Sequence, residues 1–132
     1  MGLADCKIST MLPVTDVDRA TAFYSDQLSL PYLGSNAEGN PVYALAGGTS
    51  LVLLPRPAGS QAQHTALSFE VTDIGSEIRS LEAQGVTFAD YDLPDLKTTD
   101  HVCVIGAEKA AWFLDPDGNV LCLHEQAGEG HP

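Results

Sequence analysis

A four-residue echo constrains the fold of this chain more than any other feature. Val14-Thr15-Asp16-Val17 returns as Val71-Thr72-Asp73-Ile74, an offset of 57 residues. Each copy follows a segment with the alternation of a strand and opens one with the spacing of a helix. The chain therefore reads as one supersecondary unit written twice. Its 132 residues amount to about one domain. The expectation is a single domain, residues 1–132, with module one over about 7–56 and module two over about 63–126.

In the first copy, residues 7–14 alternate and predict a strand. Asp16 stands where a helix N-cap belongs. Val17, Ala20, Tyr24 and Leu28, with Phe23 beside them, predict an amphipathic helix over 17–28. Gly and Pro near 31–41 punctuate two short strands, Gly47-Gly48 marks a turn, and Leu51–Leu54 is a buried strand ended by Pro55 and Pro57. In the second copy, residues 64–71 alternate, with Thr65, Leu67, Phe69 and Val71 on one face and His64, Ala66, Ser68 and Glu70 on the other. Asp73 caps a helix through Ile74, Ile78 and Leu81 that closes at Gly85. Strands are expected near 86–89, 101–105 and 109–114. Asp115 to Asn119 is a turn, Val120 to His124 the last strand, and 128–132 a frayed tail. The order is β-α-β-β-β, twice, an α+β class whose two sheets curl around a shared cleft. Core-facing Ile8, Leu12 and Val14 leave Ser9, Met11 and Pro13 toward that cleft. Leu121 and Leu123 leave Val120, Cys122 and His124 toward it.

Composition narrows the partners. The chain is 44% hydrophobic and 18% charged, a globular balance. Eighteen acidic against six basic side chains leave a net charge of −12, which disfavours nucleic acid and anionic membrane surfaces. No apolar run approaches the ~18–20 residues of a membrane span. The first ten residues carry neither a signal-peptide pattern nor a myristoylation pattern. Three scattered cysteines, Cys6, Cys103 and Cys122, without a CxxC, point to a reducing cytoplasm.

The segment Val14 to Tyr24, VTDVDRATAFY, resembles the helix-opening signature of the vicinal oxygen chelate superfamily, which includes glyoxalase I, bleomycin- and fosfomycin-resistance proteins and extradiol dioxygenases. Phe69 to Ile74 is similar to its second-half counterpart, and Trp112 to Asn119, WFLDPDGN, to its closing turn. The resemblance covers essentially the whole chain. It implies two βαβββ modules forming a half-open mixed-sheet barrel around a pocket. In metal-using members a divalent ion is held there by His or Glu, one from each of four strands. The matching positions here are Ser9; Leu53, or Leu51 in a shifted register; Ala66 by the internal offset, or His64 by a His-x-Ala-Leu-Ser match; and Cys122. A catalytic ion typically keeps three protein ligands, and only His64 and Cys122 offer donors, unless His124 converges with them. The expectation is no metal and no cofactor.

The pocket is expected to be apolar with a few polar handles. Ser9, Met11, Leu53, His64 and Ala66 line it from the first strands of each module and the fourth strand of the first. Cys122 and His124 line it from the last, and Tyr43, Trp112 and His101 complete it. Tyr43 and Trp112 read equally as pocket walls or core; His101 reads first as part of a solvated acidic loop and second as a pocket-edge acid/base group, and Cys103 first as packing and second as a nucleophile. The functional expectation is metal-free binding or sequestration of a small organic molecule by a cytoplasmic homodimer. The alternative is an enzyme, either a metal-dependent lyase, isomerase or dioxygenase with a non-standard ligand set, or a metal-free acid/base catalyst using His64 or His101. A regulatory subunit is the third possibility.

Overall fold

The computed structural model of the chain describes residues 2–58, 64–94 and 96–126. The chain divides into two compact units, Met1–Gln61 and Ala62–Pro132. Each has a strand, a helix and three further strands in an open four-stranded mixed sheet, so the α+β class with a repeated βαβββ order holds. The expected frayed tail lies outside the described residues. Within them, no helix is long and apolar enough to cross a membrane.

The first unit comprises β1 (Ser9–Val14), α1 (Val17–Thr21), β2 (Tyr32–Ser35), β3 (Pro41–Ala44) and β4 (Ser50–Pro55), in sheet order β1-β4-β3-β2. Asp16 caps α1 by accepting from the Arg19 amide at 3.1 Å. The helix expected over 17–28 does not stay α. At Ala22–Gln27 it widens into a π-helical turn in which the Leu28 amide reaches the Phe23 carbonyl. Phe23 and Tyr24, neighbours in sequence, are both buried there. Ile8 is 63% exposed instead of core, because pairing starts only at Ser9 and leaves it at the sheet's rim.

Register decides which residues share a face, since directly opposed residues point the same way. Leu12 lies opposite Leu53, Met11 opposite Val52 and Ser9 opposite Ser50. Tyr43 lies opposite Leu51. Leu12, Val14, Leu51, Leu53 and Tyr43 therefore form the face beneath the helix, and all are buried. There the Tyr43 hydroxyl bonds Ser25 Oγ at 2.8 Å and its ring lies 6.4 Å from that of Tyr24.

The second unit comprises β5 (Thr65–Glu70), α2 (Ile74–Ala83), a hairpin of β6 (Asp92–Leu93) and β7 (Leu96–Lys97), then β8 (Cys103–Ile105), β9 (Glu108–Leu114) and β10 (Val120–Gln126). The sheet order is β5-β10-β9-β8. Asp73 repeats the capping role of Asp16, accepting from the Ser76 amide at 3.2 Å. Ile74 and Ile78 are buried, and Gly85 ends the helix at φ +95°. No strand forms over 86–89. Phe88 makes a single bridge to Phe113, on the same edge of β9 that β8 pairs with further along at residues 108–110. The clean alternation expected in β5 is also broken. Thr65 pairs with Val120 and Leu67 with Leu121, so Ala66 is an extra residue in a bulge. Thr65 consequently joins the face of Ser68 and Glu70, not that of Leu67 and Phe69. The 115–119 turn forms as expected around the buried carboxylate of Asp115.

Candidate functional site: an aromatic and polar sheet face

In β10, Leu121 and Leu123 are buried on the α2 side, so Cys122 and His124 stand on the other. Cys122 lies opposite Ser68 and Trp112; His124 lies opposite Glu70 and Ala110. One sheet face thus collects Thr65, Ser68, Glu70, Trp112, Cys122 and His124. His124 Nδ1 is 2.6 Å from Ser68 Oγ, and its Nε2 is 3.9 Å from Glu70 Oε1. Trp112 Nε1 donates to Thr65 Oγ1 at 3.3 Å. Tyr91 meets the indole edge-on, centroids 5.8 Å apart at 86°. The alternation of β5 and β10 marks Ser68 as a neighbour of Cys122, although it was not among the expected lining residues. Nothing in the acidic stretch around Tyr91 signals that its ring meets Trp112.

Burial pushes the Cys122 thiol above its ordinary value, opposed by the hydrogen bonds that its thiolate form would accept from the Ser68 side chain and the Ala111 backbone. The thiolate is the nucleophile, so Cys122 is a poor one near neutral pH. Iodoacetamide should modify exposed Cys6 rapidly and buried Cys103 and Cys122 slowly. Alkylation of Cys122 should rise only above the ordinary thiol range of about 8.5. Peptide mass spectrometry of a timed reaction checks this, and rapid neutral-pH labelling of Cys122 would contradict it.

The other expected site residues are dispersed. Ser9 and Met11 sit on the face of the first sheet that α1 does not cover, Ser9 bonded to Ser50 Oγ at 2.8 Å and Met11 46% exposed. Tyr43 and Leu53 lie on the opposite face of that sheet, because the β1–β4 register places Val52 and Leu54 beside Met11 and Pro13. His64 is exposed ahead of β5, and the bulge at Ala66 removes the face the two were expected to share. His101 lies on the α2 side. Its Nδ1 is 3.0 Å from Asp90 and its Nε2 3.1 Å from Glu82, with its ring 6.0 Å from Phe88. A carboxylate stands against each ring nitrogen, so neither is open to a substrate. His101 ties α2 to the loop before β8; it does not meet His124.

The ion that the resemblance implies finds no fitting donors. Ser9 offers a hydroxyl already bonded to Ser50. Leu53 offers hydrocarbon, as do Val52 and Leu54 on the other face. Ala66 has no donor, its alternative His64 stands exposed ahead of β5, and Cys122 supplies a single thiol, short of the three protein ligands a catalytic ion typically keeps. Among the described residues no three His, Cys, Asp or Glu side chains are grouped to hold an ion. A cavity of about 680 Å³ within the second unit lies elsewhere. It opens at the start of α2 beside Asp73, Lys97, Lys109 and Glu125. The Glu125 carboxylate already accepts from the Ile74 amide there at 2.7 Å. The sheet face is favoured over this cavity because it joins aromatic surface to hydrogen-bonding groups.

Among curated proteins no significant match is found. Of solved structures, TnmS3, an antibiotic binding protein from Streptomyces sp. CB03234, is 23% identical with a TM-score of 0.68, over 96% of this chain and 99% of its own. A glyoxalase/bleomycin resistance protein from the same strain is 25% identical with a TM-score of 0.62, over 89% and 98%. A lactoylglutathione lyase from Agrobacterium tumefaciens is 18% identical with a TM-score of 0.64, over 92% and 93%. A family model matches residues 8–123, nearly the whole of both βαβββ units, and the chain belongs to the Glyoxalase/Bleomycin resistance protein/Dioxygenase superfamily.

Proposed function

We propose that the chain binds a small planar aromatic molecule, without a metal ion, on the face of the second sheet that carries Trp112. One observation carries this reading: the Trp112–Tyr91 ring pair stands beside the hydrogen-bonding row of Thr65, Ser68 and His124. Aromatic side chains supply apolar contact area, and a few placed polar groups fix orientation. The Glu70 carboxylate and the net charge of −12 favour a neutral or cationic ligand over an anionic one. The fold alone does not choose between binding and catalysis, since an antibiotic binding protein and a lyase share it. The donor set supports the metal-free choice. The reading takes the protein as a cytoplasmic homodimer, supported by the buried free thiols of Cys103 and Cys122 and by exposed Val104 and Ile105 on the edge strand β8.

Proflavine, a planar aromatic cation, serves as a probe in a thermal-shift titration. Ligand that binds only the folded state stabilises it by about 2.7 kcal/mol at a hundredfold excess over Kd. Wild type should be stabilised, and Trp112→Ala should need at least tenfold more proflavine for the same shift. A folded Trp112→Ala variant with an unchanged titration would sink the reading.

A further inference from the structure

We infer that Ser68 and His124 form a nucleophile–base pair that hydrolyses activated aryl esters. Ser68 Oγ is exposed and lies 2.6 Å from His124 Nδ1, close enough for the ring to take the hydroxyl proton. The opposite ring nitrogen faces Glu70 Oε1 at 3.9 Å, where a carboxylate steadies the imidazolium once it forms. Nucleophile, base and carboxylate in that order are the parts that acyl transfer uses on unrelated folds. All three stand on the paired strands β5 and β10, so the sheet register sets their spacing and no loop has to order first. The 2.6 Å contact also distinguishes His124 from His101, whose two nitrogens are both engaged by carboxylates.

The steps balance with water as the only co-reactant. Ser68 Oγ attacks the ester carbonyl carbon as its proton passes to His124 Nδ1 and the carbonyl electron pair moves to oxygen. Collapse of this adduct breaks the bond to the aryl oxygen, which leaves with the proton from Nδ1, or as the phenolate while Nδ1 passes its proton to solvent and so to the phenolate in bulk; either way the ring is neutral again. Water then attacks the acyl-serine, giving its proton to Nδ1. Ser68 Oγ departs and recovers that proton, so ester and water become acid and phenol. The substrate class follows from what the face lacks. β10 is paired on both sides, and the outer amides of the edge strand β5 point along the sheet plane and not above the face, so neither strand aims an amide at an oxyanion there. The leaving group must therefore carry charge well, as an aryloxide does, and the Trp112–Tyr91 pair offers the aryl ring a surface.

This inference deepens the binding reading and shares its sheet face, so the experiment separates the two. p-Nitrophenyl acetate is the probe, read by nitrophenolate release and by peptide mapping of the acetyl group. A general base contributes about 10²–10⁴-fold. Wild type should show saturable turnover with acetyl on the Ser68 peptide. Ser68→Ala and His124→Gln should each lose at least tenfold in rate, and Ser68→Cys should restore acetylation at that position. Wild-type rates in Ser68→Ala, or acetyl found only on lysines, would overturn the inference, as would a wild type without turnover. If proflavine still binds in that case, the binding reading stands alone; if it does not, both fall. Should Ser68→Ala lose its fold, the acetyl map of the wild type decides.

Discussion

Leu53→Ala should cost roughly 2–5 kcal/mol of stability and leave proflavine binding by the folded fraction unchanged. Leu53 is fully buried on the α1 side of the first sheet, opposite Leu12 and on the face of Leu51 and Tyr43. Truncation removes its transfer free energy and adds a cavity that ring-against-ring contacts around Tyr43 and Tyr24 cannot easily close. Family position alone would place Leu53 where a ligand or metal is met; register places it under the helix. Urea denaturation with a parallel proflavine titration separates the two. A variant that keeps its stability within about 0.5 kcal/mol but loses binding would return Leu53 to the ligand face.

Asp115→Ala should be comparably damaging, with a loss of about 3 kcal/mol or more. The side chain is 4% exposed, and its carboxylate accepts from the Asp117 amide at 2.9 Å, the Asn119 amide at 2.8 Å and Asn119 Nδ2 at 2.8 Å. Hydrogen bonds to a charged group contribute about 1.5–3 kcal/mol each, and removing the acceptor strands buried donors. The turn it organises starts β10 in register with β9, so the damage should reach the face that carries Cys122 and His124. Asp115→Asn retains one carbonyl acceptor and should lose less. Denaturation midpoints of both variants check the order, and an Asp115→Ala protein as stable as wild type would show that the turn holds without its carboxylate.

What was legible in the sequence was local. Asp16 and Asp73 announce helix starts because an N-cap acts within three residues of itself. Leu121 and Leu123 reveal the opposite placement of Cys122 and His124 because alternation along one strand needs no partner. What was not legible depends on pairing between distant segments. The division of Met11 from Leu53 is a property of the β1–β4 register, which neither strand states by itself. The bulge at Ala66 adds one residue to β5 relative to β10, and so put Thr65 on the face opposite to the one simple alternation assigns it. The engagement of His101 by Glu82 and Asp90 needs a helix and a loop brought together across the α2 side of the sheet. Its neighbouring acidic residues read equally well as a solvated stretch. The π-helical turn at Ala22–Gln27 leaves the amphipathic spacing of Ala20, Phe23 and Tyr24 intact, so periodicity predicted the helix and missed its widening.

The most direct test of metal-free binding on the Trp112 face uses the chain's single tryptophan. Its indole N–H, the donor to Thr65, gives one resolved resonance in an amide-correlation NMR spectrum. The measurement is a proflavine titration of chelator-treated protein at physiological ionic strength, where weak surface attraction is screened, followed by addition of zinc. The expected result is a saturable shift of the indole resonance that zinc leaves unchanged. An indole resonance that stays still while others move, or that moves only after zinc is added, would contradict the account.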